Sequence, residues 1–151
     1  MLQYDFEESV GYWLTIANQA YHREFSARIA PHGITYRQAQ VLGWLAADGK
    51  LTQVELAARM FIEPPSLVGV LDRMEENGWI AREPCCQDRR KKWIVPQPAV
   101  QTVWRKITKV ARQLRAEAVQ GFTTSEIATL RRLLSRVKQN VAQASLVASS
   151  E

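Results

Sequence analysis

The side chains with the clearest chemical potential lie in one short basic segment. Residues 88–92 are Asp-Arg-Arg-Lys-Lys, so four consecutive cations follow one aspartate. Guanidinium groups bind phosphate through two parallel hydrogen bonds, and they also enter narrow, electronegative minor grooves. We therefore expect Arg89 and Arg90 to contact nucleic acid. Asp88 would repel phosphate, so its expected role is to hold one of these arginines by a charge-assisted hydrogen bond.

A second set of candidate contacts precedes this basic segment. Two predicted helices are joined by the short turn Phe61-Ile62-Glu63, which is typical of a helix-turn-helix. In that motif the first residues of the second helix, predicted here over Pro65 to Glu76, approach base edges in the major groove of DNA. Pro65 and Ser66 are therefore predicted base contacts, and Arg73 on the same helix is a predicted phosphate contact.

Two residues at other helix starts extend the predicted DNA surface. Arg37 lies in the first turn of its helix, where a cation opposes the helix dipole, and this conflict favours an external anion such as phosphate. Gln53 lies at the start of the next helix. Its first expected role is in capping, and any contact with the DNA backbone would come through the same helix start.

The elements that position these residues can be predicted from helix-start signals. In a capping box, a hydroxyl accepts from the third helical amide while the Glu or Gln side chain accepts from the cap amide. The chain has three such patterns, each followed by apolar residues at helical spacing. They begin at Thr35, Thr52 and Thr123.

The pattern changes after Asn77-Gly78, a strong helix stop. Two short segments rich in aromatic and β-branched residues flank the basic residues there, which predicts a hairpin with a basic tip. The predicted helices cover about Phe6–Ile29, Thr35–Ala47, Thr52–Met60, Pro65–Glu76, Val100–Ala118 and Ser125–Ala144, and the predicted strands are Trp79–Glu83 and Lys92–Val95.

The predicted fold class is mostly α with a small β-hairpin wing: a winged helix-turn-helix plus a helical dimerisation region. We expect one domain over residues 1–151. Residues 34–99 would form the winged helix-turn-helix, and residues 146–151 a frayed tail. Residues 1–33 and 100–145 would form the dimerisation region, because their apolar stripes exceed what one small core can cover.

Several other classes of function lack support. The seven glycines form no phosphate-binding loop or nucleophile elbow, and neither histidine lies in a zinc-binding motif. The acidic N-terminus does not resemble a signal peptide, and no apolar run approaches the roughly 20 residues that span a bilayer. We therefore expect a cytoplasmic protein that is not an enzyme, with no catalytic residues, cofactor, metal or membrane partner. Its net charge of +5 favours an anionic partner.

Two adjacent cysteines precede the basic tip. Nearby cations could lower the thiolate pKa of Cys85 or Cys86 and create a redox sensor. The alternative is that both are exposed loop thiols without a role.

Two segments of the chain resemble a known family. Residues 62–80, from Ile62-Glu63-Pro64-Pro65-Ser66 through Asn77-Gly78-Trp79-Ile80, are similar to the recognition-helix block of the MarR family of bacterial transcription regulators. The version Pro65-Ser66-Leu67-Val68 is similar to the SlyA subgroup. Residues 87–92 resemble the family's wing motif, in which an arginine follows an aspartate by two positions. The resemblance implies a homodimer that binds a short pseudo-palindrome in double-stranded DNA and responds to small ligands.

The chain departs from that family in three places. Gly69 occupies a position where the subgroup usually has an arginine that contacts DNA, so a different operator or a lower affinity is expected. Residues 96–100 replace the usual Leu-Thr and glycine before the long helix. Residues 35–100 contain nine basic and eight acidic side chains, so DNA attraction must come from a few placed arginines and from a dimer of net charge +10.

An aromatic stripe is the candidate effector site. Trp13, with Trp44 nearby, could line a pocket for a small aromatic ligand, and His22 lies where the subgroup has a ligand-facing polar residue. The alternative is that these rings belong to the core or to the dimer seam.

These patterns predict a homodimeric, sequence-specific DNA-binding regulator. The rival hypothesis is a protein–protein interaction scaffold built on a winged helix that has lost its DNA role. Gly69 and the low charge of residues 35–100 favour the rival.

Overall fold

The computed structural model describes residues 3–85 and 91–148, with side chains as far as residue 144. The described chain is mostly helical with one small antiparallel sheet, which confirms the predicted fold class. The helices are α1 (Val10–Ile29), α2 (Tyr36–Asp48), α3 (Gln53–Arg59), α4 (Val68–Glu76), α5 (Val100–Ala118) and α6 (Thr124–Ala148), the strands are β1 (Leu51–Thr52), β2 (Ile80–Pro84) and β3 (Lys92–Pro96), and short 3-10 turns cover Phe6–Glu8, Ala30–His32 and Pro64–Leu67.

All three predicted capping boxes are formed. In each, the threonine hydroxyl accepts from the amide three residues on, and that residue's side chain accepts from the threonine amide. The boxes join Thr35 to Gln38, Thr52 to Glu55 and Thr123 to Glu126. The carboxylate of Glu55 is held charged by the Thr52 amide and hydroxyl, which lower its pKa below the ordinary value.

The boundaries of the first and last helices differ from the predictions. The first helix begins at Val10 rather than Phe6, because Ser9 caps it: the Ser9 hydroxyl accepts from the Tyr12 amide at 3.3 Å. The last helix continues to Ala148 rather than ending near Ala144.

The sheet contains one strand that the sequence did not predict. The predicted hairpin is confirmed as β2 and β3, with Arg82 opposite Ile94. Residues Leu51–Thr52 add a third strand beside β3, with Leu51 opposite Ile94, and the sheet order is β1-β3-β2. Two residues are too few to produce an alternating pattern, so this strand had no sequence signal.

The chain divides into two compact units, Met1–Leu114 and Arg115–Glu151. The core of the first unit includes Ile29 from α1, Leu56 from α3 and Leu71 from α4, all with no exposed surface. In the second unit, no described side chain of α6 is buried. None of the helices in the described part of the chain is long and apolar enough to cross a membrane.

Candidate nucleic-acid interface

The second helix of the helix-turn-helix begins with a tighter turn than predicted. Residues Pro64–Leu67 form a 3-10 turn that continues into α4, so Pro65 and Ser66 lie on this turn and not on the α-helix itself. Proline fits such a start because the first amides of a helix have no partner within it. We refer to residues 64–76 as the recognition segment.

The two sides of the recognition segment differ sharply. Its inner side buries Leu67, Leu71 and Met74 with no exposed surface. Its outer side is exposed and is defined here as the recognition face, which consists of Pro65, Ser66, Gly69 and Arg73. Four of the sequence-predicted DNA contacts are therefore brought together on one solvent-facing surface.

Two members of the recognition face are free to meet a partner. A Cβ atom built on Gly69 would have no other heavy atom within 4 Å, so packing does not require glycine there. The Arg73 side chain is exposed and makes no hydrogen bond or ion pair with any residue that the structure describes. Its neighbour Asp72 binds a different arginine.

That arginine is Arg82 of β2, which sequence reasoning had missed as a site residue. Its Nη2 donates to Asp72 Oδ1 at 2.6 Å and its Nη1 to Glu75 Oε2 at 2.5 Å, while its backbone amide donates to Glu75 Oε1 at 3.0 Å. Burial opposes the positive charge of Arg82, but the hydrogen bonds to Asp72 and Glu75 outweigh it and raise the pKa of the guanidinium. This triad ties the first wing strand to α4.

Gln53 also has a different role from the predicted one. Thr52 caps α3, whereas the Gln53 side-chain amide Nε2 donates to the carbonyl of Pro64 at 3.0 Å. The side chain thereby joins the start of α3 to the start of the recognition segment.

Arg37 is exposed at the start of α2, and its Nη1 donates to Gln40 Oε1 at 3.2 Å.

The wing is described only as far as its base. The amide of Cys85 donates to the carbonyl of Lys91 at 3.0 Å, which closes the two strands. Lys91 and Lys92 are exposed. The predicted contacts Arg89 and Arg90, the supporting Asp88 and the second cysteine, Cys86, lie outside the described residues.

Cys85 is buried, so the expectation of an exposed loop thiol is wrong for this residue. It lines an open cavity of about 530 Å³ between the start of α3 and the wing strands. Cys85 directly follows β2, and its backbone bond to Lys91 holds it beside the start of β3. Among the described residues, no three His, Cys, Asp or Glu side chains are placed to hold a metal ion.

The three candidate effector residues have separate surroundings. The Trp13 indole donates to the Glu7 carbonyl at 2.9 Å and the side chain is 54% exposed, so it is not a core residue. The His22 ring centroid lies 3.8 Å from that of Tyr36. The Cζ atom of Arg59 lies over the Trp44 ring, 6.0 Å from its centroid. Trp13 and His22 are nine positions apart on α1, which is about 14 Å along the helix axis, so one small ligand would not bridge them.

Comparisons with known proteins agree with this geometry. Residues 32–91 match the sequence model of the MarR family. The apo form of MarR from E. coli is 27% identical, with 85% of this chain and 96% of that chain covered and a TM-score of 0.75. A cysteine-to-serine mutant of E. coli MarR, complexed with operator DNA, is 26% identical, with 89% and 99% covered and a TM-score of 0.76. A probable transcriptional regulator from Pseudomonas aeruginosa is 27% identical, with 87% and 98% covered and a TM-score of 0.72.

Proposed function

We propose that this chain is a MarR-family protein that acts as a homodimeric, sequence-specific regulator of transcription. Residues 32–91 match the MarR sequence model, and the fold is similar to that of MarR from E. coli. It binds double-stranded DNA at a short pseudo-palindromic operator. Membership of the SlyA-like subgroup is part of this proposal and is supported by the block Pro65-Ser66-Leu67-Val68.

The observation that carries the proposal is the recognition face. Its residues are exposed although the inner side of the same segment is packed in the core, and the Arg73 side chain has no partner among the described residues. Such a surface at the start of a second helix is what the major groove accepts. The fold similarity to a MarR protein complexed with operator DNA supports the same use here.

The dimer is supported by apolar side chains that lack cover. On α6, Leu130, Leu133, Leu134 and Val141 are between 41% and 63% exposed, and on α1 Val10 is 57% exposed. A water-exposed apolar surface of this kind is typical of a protein interface. A two-fold dimer would present two recognition faces to a palindrome, with half-sites about one helical turn of DNA apart.

Release from DNA by a small aromatic ligand completes the proposal. Its support is the ring cluster around Tyr36. The His22 ring is tilted by 50° to the Tyr36 ring with centroids 3.8 Å apart, and the Phe25 ring meets Tyr36 edge-on with centroids 6.1 Å apart. This cluster joins α1 to α2, so a ligand that displaces one ring would act on the start of the DNA-binding region. A panel of aromatic acids should raise the melting temperature of the wild type, and His22→Ala should reduce that shift.

The proposal is tested by a fluorescence-anisotropy titration at two salt concentrations. The duplex carries the DNA upstream of the protein's own gene, and a scrambled duplex is the control. We expect saturable binding that prefers the native duplex and weakens steeply with salt, because each neutralised phosphate contributes about 0.9 to the slope of log affinity against log salt. No binding to either duplex at low salt would refute the DNA function.

The second candidate function is a protein–protein interaction scaffold. The observation in its favour is Gly69, which leaves the centre of the recognition face without a side chain. A scaffold would bind native and scrambled duplexes weakly and equally in the titration above.

A further inference from the structure

Phe61, in the turn of the helix-turn-helix, has an unusual backbone conformation and exposure. Its φ is 53°, and it is the one residue other than glycine with a positive φ in the described ranges 3–85 and 91–148. Its side chain is 95% exposed. The turn therefore places a large apolar ring in water on a backbone that L-residues rarely adopt.

Neither the local conformation nor the core explains a phenylalanine at this position. The left-handed conformation brings a Cβ atom close to the following carbonyl, so glycine or asparagine would fit with less strain. The ring recovers little of that strain by packing, because it is almost fully exposed. Strained residues that the fold itself does not need occur mainly at functional sites.

The position of Phe61 relates it to the recognition face. The ring lines one open depression together with Ser66, the exposed residue at the start of the recognition segment. Glu63, between them in the chain, lines the same depression, and its carbonyl accepts from the Ser66 amide at 3.0 Å. If the start of the recognition segment enters the major groove, Phe61 borders the base edges there.

The chemistry of the depression favours bases over phosphates. Among its described lining residues, Glu63 is the one charged group and there is no cation, so phosphate would be repelled. The apolar feature that the major groove offers is the 5-methyl group of thymine, which phenylalanine can contact. Val68, next to the recognition face, is 43% exposed and adds to the apolar character of this surface.

We infer that Phe61 is a specificity-determining residue that packs against the 5-methyl group of a thymine in each operator half-site. This inference rests on the proposed DNA-binding function. The apolar surface formed by Phe61 and Val68 would thereby select thymine at one position of the half-site.

The experiment uses the full chain and an operator selected from a pool of random duplexes. Each thymine of one half-site is replaced in turn by deoxyuridine, which removes the methyl group and keeps every hydrogen-bonding group. For the wild type we expect one replacement, at the thymine whose methyl group contacts Phe61, to weaken binding about fourfold. This is the effect of no longer burying one methyl group. Phe61→Gly should bind the unmodified operator more weakly and lose its sensitivity at that thymine only. Phe61→Tyr, which retains the ring, should keep it.

The melting temperatures separate this effect from misfolding. Phe61→Gly relieves the strained backbone, so its melting temperature should rise by about 2–4 °C while its DNA affinity falls. Identical deoxyuridine profiles for the wild type and Phe61→Gly would overturn the inference and leave the DNA function standing, and the ring would then be available to a protein partner. Failure to select any operator would overturn both.

Discussion

The winged helix-turn-helix and the last helix use their apolar side chains in opposite ways. In the former, Leu71 and Met74 of α4 are completely buried, and even the short α3 buries Leu56. In α6, a helix of 25 residues, the described apolar side chains are exposed or half-buried. The first region buries its apolar side chains in its own core, whereas α6 leaves its apolar side chains accessible to solvent. In the proposed dimer a second copy of the chain would cover them.

This difference predicts which substitutions change folding and which change assembly. Burial of an apolar side chain within the chain stabilises the folded monomer. An apolar side chain that is exposed in the monomer contributes only when a partner covers it. Substitutions on α6 should therefore leave the monomer folded and change its association, while substitutions in the winged region should change DNA binding without changing association.

The largest effect is expected for Leu134→Glu on α6. A carboxylate at an apolar contact would prevent dimer formation, and loss of two-site binding would reduce operator affinity by about 100-fold or more. The matched control is Ser135→Glu, which adds the same charge at an exposed polar neighbour. Analytical ultracentrifugation measures the dimer and anisotropy the affinity. A dimer that persists in Leu134→Glu at micromolar concentration would contradict the dimer assignment.

Arg90→Ala tests the wing and should weaken binding more than tenfold, since a hydrogen bond that involves a charged group contributes about 1.5–3 kcal/mol. The slope of log affinity against log salt should also decrease if the contact is to phosphate. Arg132→Ala on α6 removes the same charge elsewhere and serves as the control. Unchanged affinity at physiological salt would show that the wing does not contact DNA.

Gly69→Arg should raise the affinity of the protein for its operator. The position is open, so an arginine fits without displacing a neighbour and adds a cation to the recognition face. We expect an increase in affinity of up to about 30-fold, from about 1 kcal/mol at each of the two half-sites. Gly69→Ala separates the charge from the backbone effect, because alanine only stabilises the helix by about 0.5–1 kcal/mol. Equal affinities for the two variants would place Gly69 away from the DNA.

Arg82→Gln tests the connection between the wing and α4. The Arg82 side chain is 18% exposed, but Asp72 and Glu75 are 49% and 40% exposed, so solvent screening limits the loss of folding free energy to about 1 kcal/mol. Operator affinity should fall about fivefold, because the wing is less well positioned against the recognition segment. The combined Asp72→Asn and Glu75→Gln variant should reproduce this loss. If neither change affects affinity, the triad has no role in placing the wing.

The smallest effect concerns pH and the Thr52 capping box. Glu55 has a lowered pKa in the folded state, so its stabilising contribution is present above the ordinary pKa of 4.5 and is lost as pH falls through the folded value. The loss should be below about 1 kcal/mol, as for a single helix cap. Urea unfolding of the wild type and Glu55→Gln between pH 7 and about pH 3 measures it, and the two proteins should converge at the acid end.

The sequence predicted the elements whose signals are local and repeated. The capping boxes at Thr35, Thr52 and Thr123 are short patterns that determine helix starts by themselves, and all three are formed. The hairpin was predictable for the same reason, from aromatic and β-branched residues on both sides of a polar stretch.

Features that depend on contacts between distant residues were not predictable. Arg82 reaches back ten residues to Asp72, and Gln53 reaches forward eleven residues to the Pro64 carbonyl. Both side chains suit a solvated surface equally well when only the sequence is considered. The left-handed conformation of Phe61 had no signal either, because phenylalanine is among the residues least expected there.

The bond from Gln53 to the Pro64 carbonyl has a consequence for the kinetics of association. Two successive prolines restrict the backbone at the start of the recognition segment, and the Gln53 amide fixes that start to α3. Little conformational entropy then remains to be lost when this end of the protein meets a ligand. Encounter with DNA would be limited by diffusion and orientation, with no slow rearrangement of this turn, and differences among operators would appear as differences in residence time.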